Sequence, residues 1–545
     1  MAKITRREFL KLTILAGGAA LVLPGISRVA RIGPVEGDGG PEVLAGQWTL
    51  FKNDLLDITP SSPDDLDPTF NISSFKESYT YVSPVLKADF LFNAVGASWT
   101  GQIMEDVHPN LSLRASDDGE NWTQWIPMEE IDQSRGLRHN TTDLVIVSGR
   151  FVQIQMVVDP SSNEKMMSWD QMGVTYINSL QGPTTNDAVS SSGKEIRISS
   201  AMAPLKVISR AGWGANESYR FDNEGKMKWP PGYSPAKALY LHHTATADGA
   251  ADPAAIVRAV YYYHTITNGW GDIGYNFLID RYGNIYEGRY GGPNVIGAHT
   301  LGHNAGSLGV SIIGNHDNDP VPETALSSLV SLTLAKSVQH GINPEGSFVK
   351  DSKTYPNILG HKDAVSTSCP GKNLYPFLST LRRTVNQNRP SYAVAWISSK
   401  LAGSSLPQGV TANLTLNIKN SGSQPLSAGG AGRAVIAYTW LFEDGSSYSE
   451  SGINGSISLP KDVAPYESVT ITTPIKVPSN LGRYILRLDV YRDGTGFFAS
   501  QGIPTSEIPL SVASQSSSTQ KYNSFIPFMT NKTTIDSEEG GGAAP

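Results

Sequence analysis

Residue 369 is the only cysteine among the 545 residues, and its surroundings indicate a metal site. With no second thiol in the chain, Cys369 cannot form an intramolecular disulfide. His361 precedes it by eight positions, and a strand-like stretch at residues 238–241 leads directly to His242 and His243. Two imidazoles and one thiolate form a ligand set for Zn²⁺ that leaves the fourth position open for water, as in catalytic sites. The alternative is a buried cysteine that packs as a small apolar side chain.

The elements that would position these residues mix strands and helices, which predicts an α/β domain at residues 204–390. Asp252 followed by Pro253 is a good helix start, because Asp caps the free amides and Pro is tolerated in the first helical position. Apolar residues recur every four positions from 326 to 338, on a helix that ends at Gly341. The remaining elements are predicted as strands at 276–280, 285–288 and 307–314 and a closing helix at 373–388. Together they predict a mixed sheet with helices packed on it.

Two all-β regions flank this domain. Residues 46–182 and 391–513 alternate apolar and polar side chains, as half-buried strands do. The first is predicted as a β-sandwich, and the second, with about seven short strands, as an immunoglobulin-like β-sandwich. Residues 183–203 are predicted as a flexible linker and residues 514–545 as a disordered tail. We expect the central domain to fold alone, with the sandwiches positioning it.

The N-terminus carries the pattern of an export signal. Arg6 and Arg7 precede an apolar stretch at residues 12–23, which resembles a twin-arginine signal and is too short to span a bilayer comfortably. Residues 1–45 are therefore predicted as signal and leader, and the protein as exported to the cell wall, the extracellular space or the periplasm. The net charge of −7, with no basic cluster among aromatic residues, argues against a nucleic-acid partner. No later stretch has a transmembrane pattern.

Several separated motifs in the central region together resemble the peptidoglycan recognition protein and type 2 N-acetylmuramoyl-L-alanine amidase family. Each motif alone is weakly specific, but their order and spacing are strongly so. The resemblance covers residues 204–388, about a third of the chain. The motifs are Ser-Arg-Ala-Gly-Trp-Gly at 209–214, Leu-His-His-Thr-Ala at 241–245, Gly-Trp-Gly-Asp-Ile-Gly-Tyr-Asn-Phe at 269–277, Tyr-Glu-Gly-Arg at 286–289, Ile-Gly-Ala-His at 296–299, Leu-Gly-Val at 308–310, and Gly-His at 360–361 through Cys-Pro-Gly at 369–371.

The resemblance implies a zinc site and a reaction. The family's zinc ligands correspond to His242, His361 and Cys369. His243 is expected to point away from them, because alternate side chains of a strand face opposite sides. The implied reaction is hydrolysis of the amide that joins N-acetylmuramic acid to the L-alanine of the peptidoglycan stem, so peptidoglycan is the expected partner.

Five further residues acquire expected roles from the same resemblance. Tyr275 would donate a hydrogen bond near the zinc-bound water or the developing oxyanion, and Thr367 would stabilise the tetrahedral intermediate. His299 and Thr244 would contact the muropeptide. Arg289 would pair with a carboxylate of the stem peptide. For His299 and Arg289 the alternatives are a structural role and a structural ion pair, respectively.

Two other functions fit parts of the sequence. The first is a non-catalytic peptidoglycan-binding protein, but such family members typically lack the cysteine ligand. The second is an adhesion or scaffolding protein whose sandwiches carry the function, which would bind carbohydrate with or without zinc. Cys369 favours the enzyme. The sequence leaves open the third residue of the stem peptide, the ligands of the sandwiches and the oligomeric state.

Overall fold

The computed structural model describes residues 40–51, 56–57, 79–103, 110–128, 139–158, 167–191, 194–196, 205–246 and 252–514. The predicted twin-arginine signal therefore lies outside the described residues, as does the predicted tail beyond residue 514. Within these ranges, no helix has both the length and the apolar character needed to cross a membrane.

The first part of the chain, called the N-terminal unit below, consists of two antiparallel sheets that pack face to face. One sheet has the order β1-β10-β5-β8, and the other has the order β2-β3-β9-β6-β7 with β4 paired to β9. Alternate residues of β6 (Leu111, Leu113 and Ala115) point into the shared core, as their spacing predicts. The strands are β1 (Leu44–Phe51), β2 (Leu56–Asp57), β3 (Tyr79–Val82), β4 (Leu86–Phe92), β5 (Ala94–Ile103), β6 (Asn110–Ser116), β7 (Ile126–Met128), β8 (His139–Thr141), β9 (Gly149–Val158) and β10 (Met167–Asn178).

The central unit is built on a mixed sheet with the order β11-β12-β15-β14-β16-β13-β19. Its strands are β11 (Lys194–Ile196), β12 (Leu205–Ile208), β13 (Ala238–His243), β14 (Phe277–Ile279), β15 (Ile285–Glu287), β16 (Ser307–Ile312) and β19 (Ile358–Gly360), and a separate hairpin holds β17 (Ser347–Lys350) and β18 (Lys353–Pro356). The helices are α1 (Thr185–Ser191), α2 (Pro253–Tyr262), α3 (Glu323–His340) and α4 (Phe377–Gln387). Short 3₁₀ turns cover Glu217–Arg220 and His361–Asp363, and a π turn covers Tyr263–Thr267.

Local signals in the sequence place two helix ends correctly. The carboxylate of Asp252 accepts a hydrogen bond from the amide of Ala255 at 3.2 Å, and Pro253 occupies the first turn of α2. At the second of these helix ends, Gly341 terminates α3 in the left-handed conformation with φ of 66°. Both predictions are confirmed because capping depends on residues within one turn of the helix end.

Where the structure describes the segment predicted as a flexible linker, residues 183–203, that is at residues 183–191 and 194–196, the chain is instead part of the central unit. It forms α1, and then β11, which pairs with the edge strand β12 in antiparallel register. The Thr185 hydroxyl accepts a hydrogen bond from the amide of Ala254 at 3.0 Å, which fixes α1 to the start of α2. The prediction was wrong because a Ser- and Thr-rich composition also suits side chains that hydrogen-bond to nearby backbone.

The C-terminal unit again contains two sheets. One has the order β20-β22-β25, and the other has the order β21-β28-β26-β23-β24 with β27 paired to β26. Its buried side chains form one continuous cluster with those of α3, α4 and the central sheet. The strands are β20 (Val394–Leu401), β21 (Ser405–Pro407), β22 (Thr411–Asn420), β23 (Ala434–Phe442), β24 (Gly455–Ser458), β25 (Ser468–Lys476), β26 (Gly482–Arg492), β27 (Gly496–Phe497) and β28 (Ser506–Ala513), with a 3₁₀ turn at Phe498–Gln501.

The packing of α2 argues against the expectation that the central domain folds alone. All ten residues of α2 are buried, which requires cover on both faces of the helix. One cluster of buried side chains joins α2 to five residues of the N-terminal unit: Val43, Ala94, Leu144, Ile146 and Ile177. The N-terminal unit therefore supplies part of the core around α2.

We expect a fragment of residues 204–390 to be less soluble and to melt at a lower temperature than a fragment of residues 40–390. The shorter fragment exposes the apolar face of α2 and loses α1 and β11, which costs burial energy. Circular dichroism melts of both fragments measure the difference. Equal melting temperatures would restore the modular interpretation.

Candidate metal centre

Two histidines lie side by side at the edge of the central sheet where strands β13 and β19 end, because these strands are parallel neighbours. Strands β13 and β19 pair in parallel, with Leu241 opposite Gly360. The next residues along the two strands are His242 and His361, so both side chains emerge at the same level of the same edge. Their ring centroids lie 4.5 Å apart.

Cys369 returns to this edge through a short loop. The amide of Lys362 donates a hydrogen bond to the carbonyl oxygen of Cys369 at 2.9 Å, which closes the loop. The Sγ atom lies 3.6 Å from Nδ1 of His242, and one potential ligand atom from each of the three residues falls within 4.8 Å of the others. The buried Nε2 atom of His361 has no hydrogen-bond partner within the described part of the chain. A buried nitrogen without a partner is costly, and a metal ion would satisfy it. The site therefore fits zinc.

A hydrogen-bond chain behind His242 determines which of its nitrogens faces the site. The hydroxyl of Ser307 donates to the carbonyl oxygen of His303 at 2.6 Å, so it accepts from Nε2 of His299, 3.2 Å away. Nδ1 of His299 is then unprotonated and accepts from Nε2 of His242 at 3.1 Å. This assignment leaves the lone pair of His242 on Nδ1, the atom that faces Cys369. Metal-binding histidines are usually oriented through their second nitrogen in this way.

His299 is thus placed behind the site rather than along an open groove. Its side chain is 7% exposed, and both ring nitrogens are within hydrogen-bonding distance of protein atoms. Gly309 makes room for the ring, because a Cβ atom at that position would lie 2.4 Å from it. These contacts favour the structural alternative over the expected contact with the muropeptide.

The electrostatic environment keeps the imidazoles neutral. Burial lowers the pKa of His242 well below its usual value, and the neighbouring His361 lowers it further. Burial likewise lowers the pKa of His361 and of His299 to about 3. Neutral imidazole is the form that binds a metal, so little proton competition is expected near pH 7.

His243 takes no part in this cluster, which matches the alternation of side chains along β13. Its Nδ1 atom accepts a hydrogen bond from the amide of His316 at 3.2 Å on the other face of the sheet edge. The two residues therefore brace the loop after β16. Among the residues that the structure describes, the group that could hold a metal ion consists of His242, His361 and Cys369 and does not include His243.

Tyr275 lies beside the metal ligands. Its ring centroid is 5.4 Å from that of His242, and its side chain is 9% exposed. Burial raises the pKa of Tyr275 well above its usual value, and the charges of Asp143 and Cys369 add to this effect. The hydroxyl therefore stays protonated near neutral pH and is available as a hydrogen-bond donor.

A buried ion pair holds the segment that leads to Tyr275. Arg210 contacts Asp272 at 3.0 Å and also binds Glu217 through two nitrogens, at 2.7 and 3.0 Å. The other carboxylate oxygen of Asp272 accepts from the amide of Tyr290 at 2.9 Å. Arg210 and Asp272 both belong to the sequence motifs, but nothing in the sequence alone shows that they pair across 62 positions.

The remaining predicted residues have protein partners. Arg289 is 8% exposed and donates to the backbone carbonyls of Ile273 and Trp270 at 3.3 and 3.4 Å, rather than facing an open groove. The buried hydroxyl of Thr244 accepts from the amide of Gly314 at 3.0 Å. Thr367 is half-buried, and its hydroxyl accepts from the amide of Cys369 at 3.3 Å. The Thr367 hydroxyl retains its own proton to donate.

The same region of the chain is similar to known proteins. Residues 232–372 match the model of a family described as N-acetylmuramoyl-L-alanine amidase. A human N-acetylmuramoyl-L-alanine amidase is 37% identical over 176 residues, which are 31% of this chain and 27% of the human protein. The chain thus spans about a quarter of the length of that relative.

Smaller relatives are covered almost completely. The peptidoglycan-recognition protein SC2 of Drosophila melanogaster is 32% identical over 182 residues, which are 33% of this chain and 88% of that protein. Among solved structures, wild-type Drosophila PGRP-LB is 29% identical and matches 32% of this chain and 92% of its own, with a TM-score of 0.26. The family match at residues 232–372 includes the three candidate metal ligands, His242, His361 and Cys369.

Proposed function

Because the chain belongs to the peptidoglycan recognition protein and type 2 N-acetylmuramoyl-L-alanine amidase family, we propose that it is an exported, zinc-dependent amidase. The proposed reaction is hydrolysis of the amide between the lactyl group of N-acetylmuramic acid and the L-alanine of the peptidoglycan stem. The twin-arginine route of export, inferred from the N-terminal sequence, is part of the same proposal.

One observation carries the choice of an enzyme over a recognition protein. His242, His361 and Cys369 come from a strand, a 3₁₀ turn and a loop, yet they bring three potential ligand atoms within 4.8 Å of one another. Two neutral imidazoles and a thiolate are a complete set of protein ligands for a catalytic zinc ion. A protein that only recognised peptidoglycan would have no need of this arrangement.

The residues around the ligands have separate tasks in this proposal. When bound, zinc supplies a Lewis acid that polarises the scissile carbonyl and makes a water nucleophilic near neutral pH. Tyr275, protonated because burial raises its pKa, donates a hydrogen bond to the oxygen on which negative charge develops. Thr367 offers a second hydroxyl from the loop that carries Cys369. As a neutral donor, Thr367 stabilises that charge less than a lysine would.

A direct assay tests the proposal. Purified protein is stripped of metal with a chelator, reloaded with one equivalent of zinc, and incubated with a soluble muropeptide. We expect release of a new peptide amine only from the zinc-loaded sample. Tight binding of the muropeptide with no release of amine would support the recognition protein instead.

His299 orients His242 in this account and does not need to touch substrate. We expect His299→Ala to weaken zinc binding by about ten- to a hundredfold, the usual effect of removing a residue that orients a metal ligand. Competition with a fluorescent chelator measures the affinity. His340→Ala, which changes a histidine at the far end of α3, is the control. Equal zinc affinity for His299→Ala and the native chain would remove His299 from this role.

A further inference from the structure

The N-terminal unit contacts the part of the central unit that leads to Tyr275. Helix α2 lies between the two units, and the chain continues from it through the π turn Tyr263–Thr267 into residues 268–275. This segment carries no helix or strand of its own. Its conformation must therefore be held by contacts at its two ends and along its length.

Tyr263, the first residue of the π turn, anchors the segment to the N-terminal unit. Its side chain is fully buried, and its hydroxyl lies 3.0 Å from the carbonyl oxygen of Thr142 and 3.2 Å from that of Ala97. The Thr141 hydroxyl lies 2.9 Å away and can serve as the second partner. Gly96 accommodates the ring, because a Cβ atom there would lie 2.5 Å from it. The three residues that hydrogen-bond to the Tyr263 hydroxyl, and Gly96, all belong to the N-terminal unit.

Short contacts connect this anchor to Tyr275. The amide of Asn268 donates to the carbonyl oxygen of Tyr263 at 2.8 Å, and the side chain of Asn268 lies 3.2 Å from the Thr141 hydroxyl. The residue after Tyr263, His264, accepts from the amide of Gly274 through Nδ1 at 3.2 Å. Its ring centroid also lies 5.6 Å from that of Tyr275. A displacement of Tyr263 would therefore shift Tyr275 through one intervening residue, His264.

The pKa shifts of Tyr275 and Tyr263 are consistent with a short distance between these tyrosines and the N-terminal unit. Burial raises the pKa of Tyr275 well above its usual value, and the largest charge contribution comes from Asp143, two residues after the end of β8. The same carboxylate also contributes to the raised pKa of Tyr263, after the larger effect of burial. The N-terminal unit thus places a charge within electrostatic range of the candidate catalytic tyrosine.

We propose that the N-terminal unit is an integral part of the active site, and that Tyr263 is a positioning residue that fixes residues 268–275 so that Tyr275 faces the metal ligands. This inference rests on the proposed amidase function. It replaces the expectation that the flanking unit only brings the enzyme to the cell wall. The alternative is that the same contacts stabilise the fold without affecting the geometry of Tyr275.

Two hydroxyls in the same interface distinguish these possibilities. Tyr263→Phe removes the hydroxyl at the end of α2 that leads to Tyr275. Ser179→Ala removes a hydroxyl near the start of α2, where Ser179 donates to the carbonyl oxygen of Ala255 at 2.8 Å. Both changes remove interface hydrogen bonds and leave the packing nearly intact. A stabilising role alone predicts similar effects of the two variants.

We expect kcat of Tyr263→Phe on a soluble muropeptide to fall by about three- to a hundredfold, with KM and zinc content unchanged, because a small displacement of a catalytic group lowers turnover strongly. Ser179→Ala is expected to keep kcat within about twofold. Amide hydrogen exchange of residues 268–276, measured without substrate, is expected to quicken in Tyr263→Phe only. This readout does not depend on amidase activity, so it separates a failure of this inference from a failure of the proposed function.

If Tyr263→Phe fails to fold, Thr141→Val tests the same anchor from the other side, since it removes the hydroxyl shared by Tyr263 and Asn268 while keeping the side-chain shape. The inference is overturned if the tested anchor variant leaves exchange in residues 268–276 unchanged. Equal losses of kcat in the anchor variant and in Ser179→Ala, in proportion to lowered melting temperatures, would overturn it too. Loss of zinc from the anchor variant would also contradict it.

Discussion

We expect Cys369→Ser to lose zinc and hydrolytic activity together. The two side chains have nearly the same shape and Cys369 is 8% exposed, so the fold is expected to persist. A serine hydroxyl, however, is a poor zinc ligand near neutral pH, whereas a thiolate is a strong one. Zinc content by elemental analysis, circular dichroism and the muropeptide assay together measure the effect.

A neighbouring serine supplies the control for this variant. Ser368→Ala changes a hydroxyl in the same loop, which donates to a carboxylate oxygen of Asp317 at 2.6 Å, but it removes no ligand. We expect Ser368→Ala to keep one zinc per chain and most of its activity. Stoichiometric, tightly held zinc in Cys369→Ser would contradict the ligand set.

Tyr275→Phe is expected to separate binding from chemistry. The ring beside His242 remains, so zinc content and muropeptide affinity are expected to stay unchanged. Turnover is expected to fall by about ten- to a thousandfold, because one hydrogen bond to the developing negative charge is lost. Calorimetry and single-turnover kinetics measure the two quantities separately.

The matched control removes a different buried tyrosine hydroxyl. Tyr286 is fully buried in β15, and its hydroxyl donates to a carboxylate oxygen of Asp280 at 2.9 Å, away from the metal ligands. We expect Tyr286→Phe to lower the melting temperature and leave turnover nearly unchanged. Unchanged turnover in Tyr275→Phe would remove Tyr275 from the catalytic set.

The parts of the fold that depend on neighbouring residues could be predicted from the sequence. Asp252 and Pro253 start α2 and Gly341 ends α3, because each signal acts within one turn of the helix. Alternation along β6 and β22 gives the buried face of each strand directly.

The candidate ligands could be predicted from residue types and motif order. The thiol of Cys369 has no disulfide partner, and His361 stands immediately after a short apolar strand. The sequence could not show that these residues lie together in the folded chain. That required the parallel register of β13 and β19, which depends on pairing between residues more than a hundred positions apart.

For two residues the structure favours roles other than the expected substrate contacts, and their partners are not their neighbours in the sequence. His299 was expected to contact substrate, yet it accepts a hydrogen bond from His242, 57 positions earlier. Arg289 was expected to meet a substrate carboxylate or a structural ion-pair partner, but its fork binds backbone carbonyls. The hydroxyl partners of Tyr263 lie more than 120 residues away. A periodic pattern identifies a buried position but not what covers it.

Product analysis of digested peptidoglycan is the most direct test of the central claim. The zinc-loaded full chain is incubated with purified peptidoglycan, and the soluble products are identified by mass spectrometry. We predict intact stem peptides with a free amine on L-alanine, and glycan strands that keep the lactyl carboxylate, with neither formed by Cys369→Ser. Peptidoglycan that is bound by the zinc-loaded protein but releases no stem peptide, or that is cut at another bond, would contradict the account.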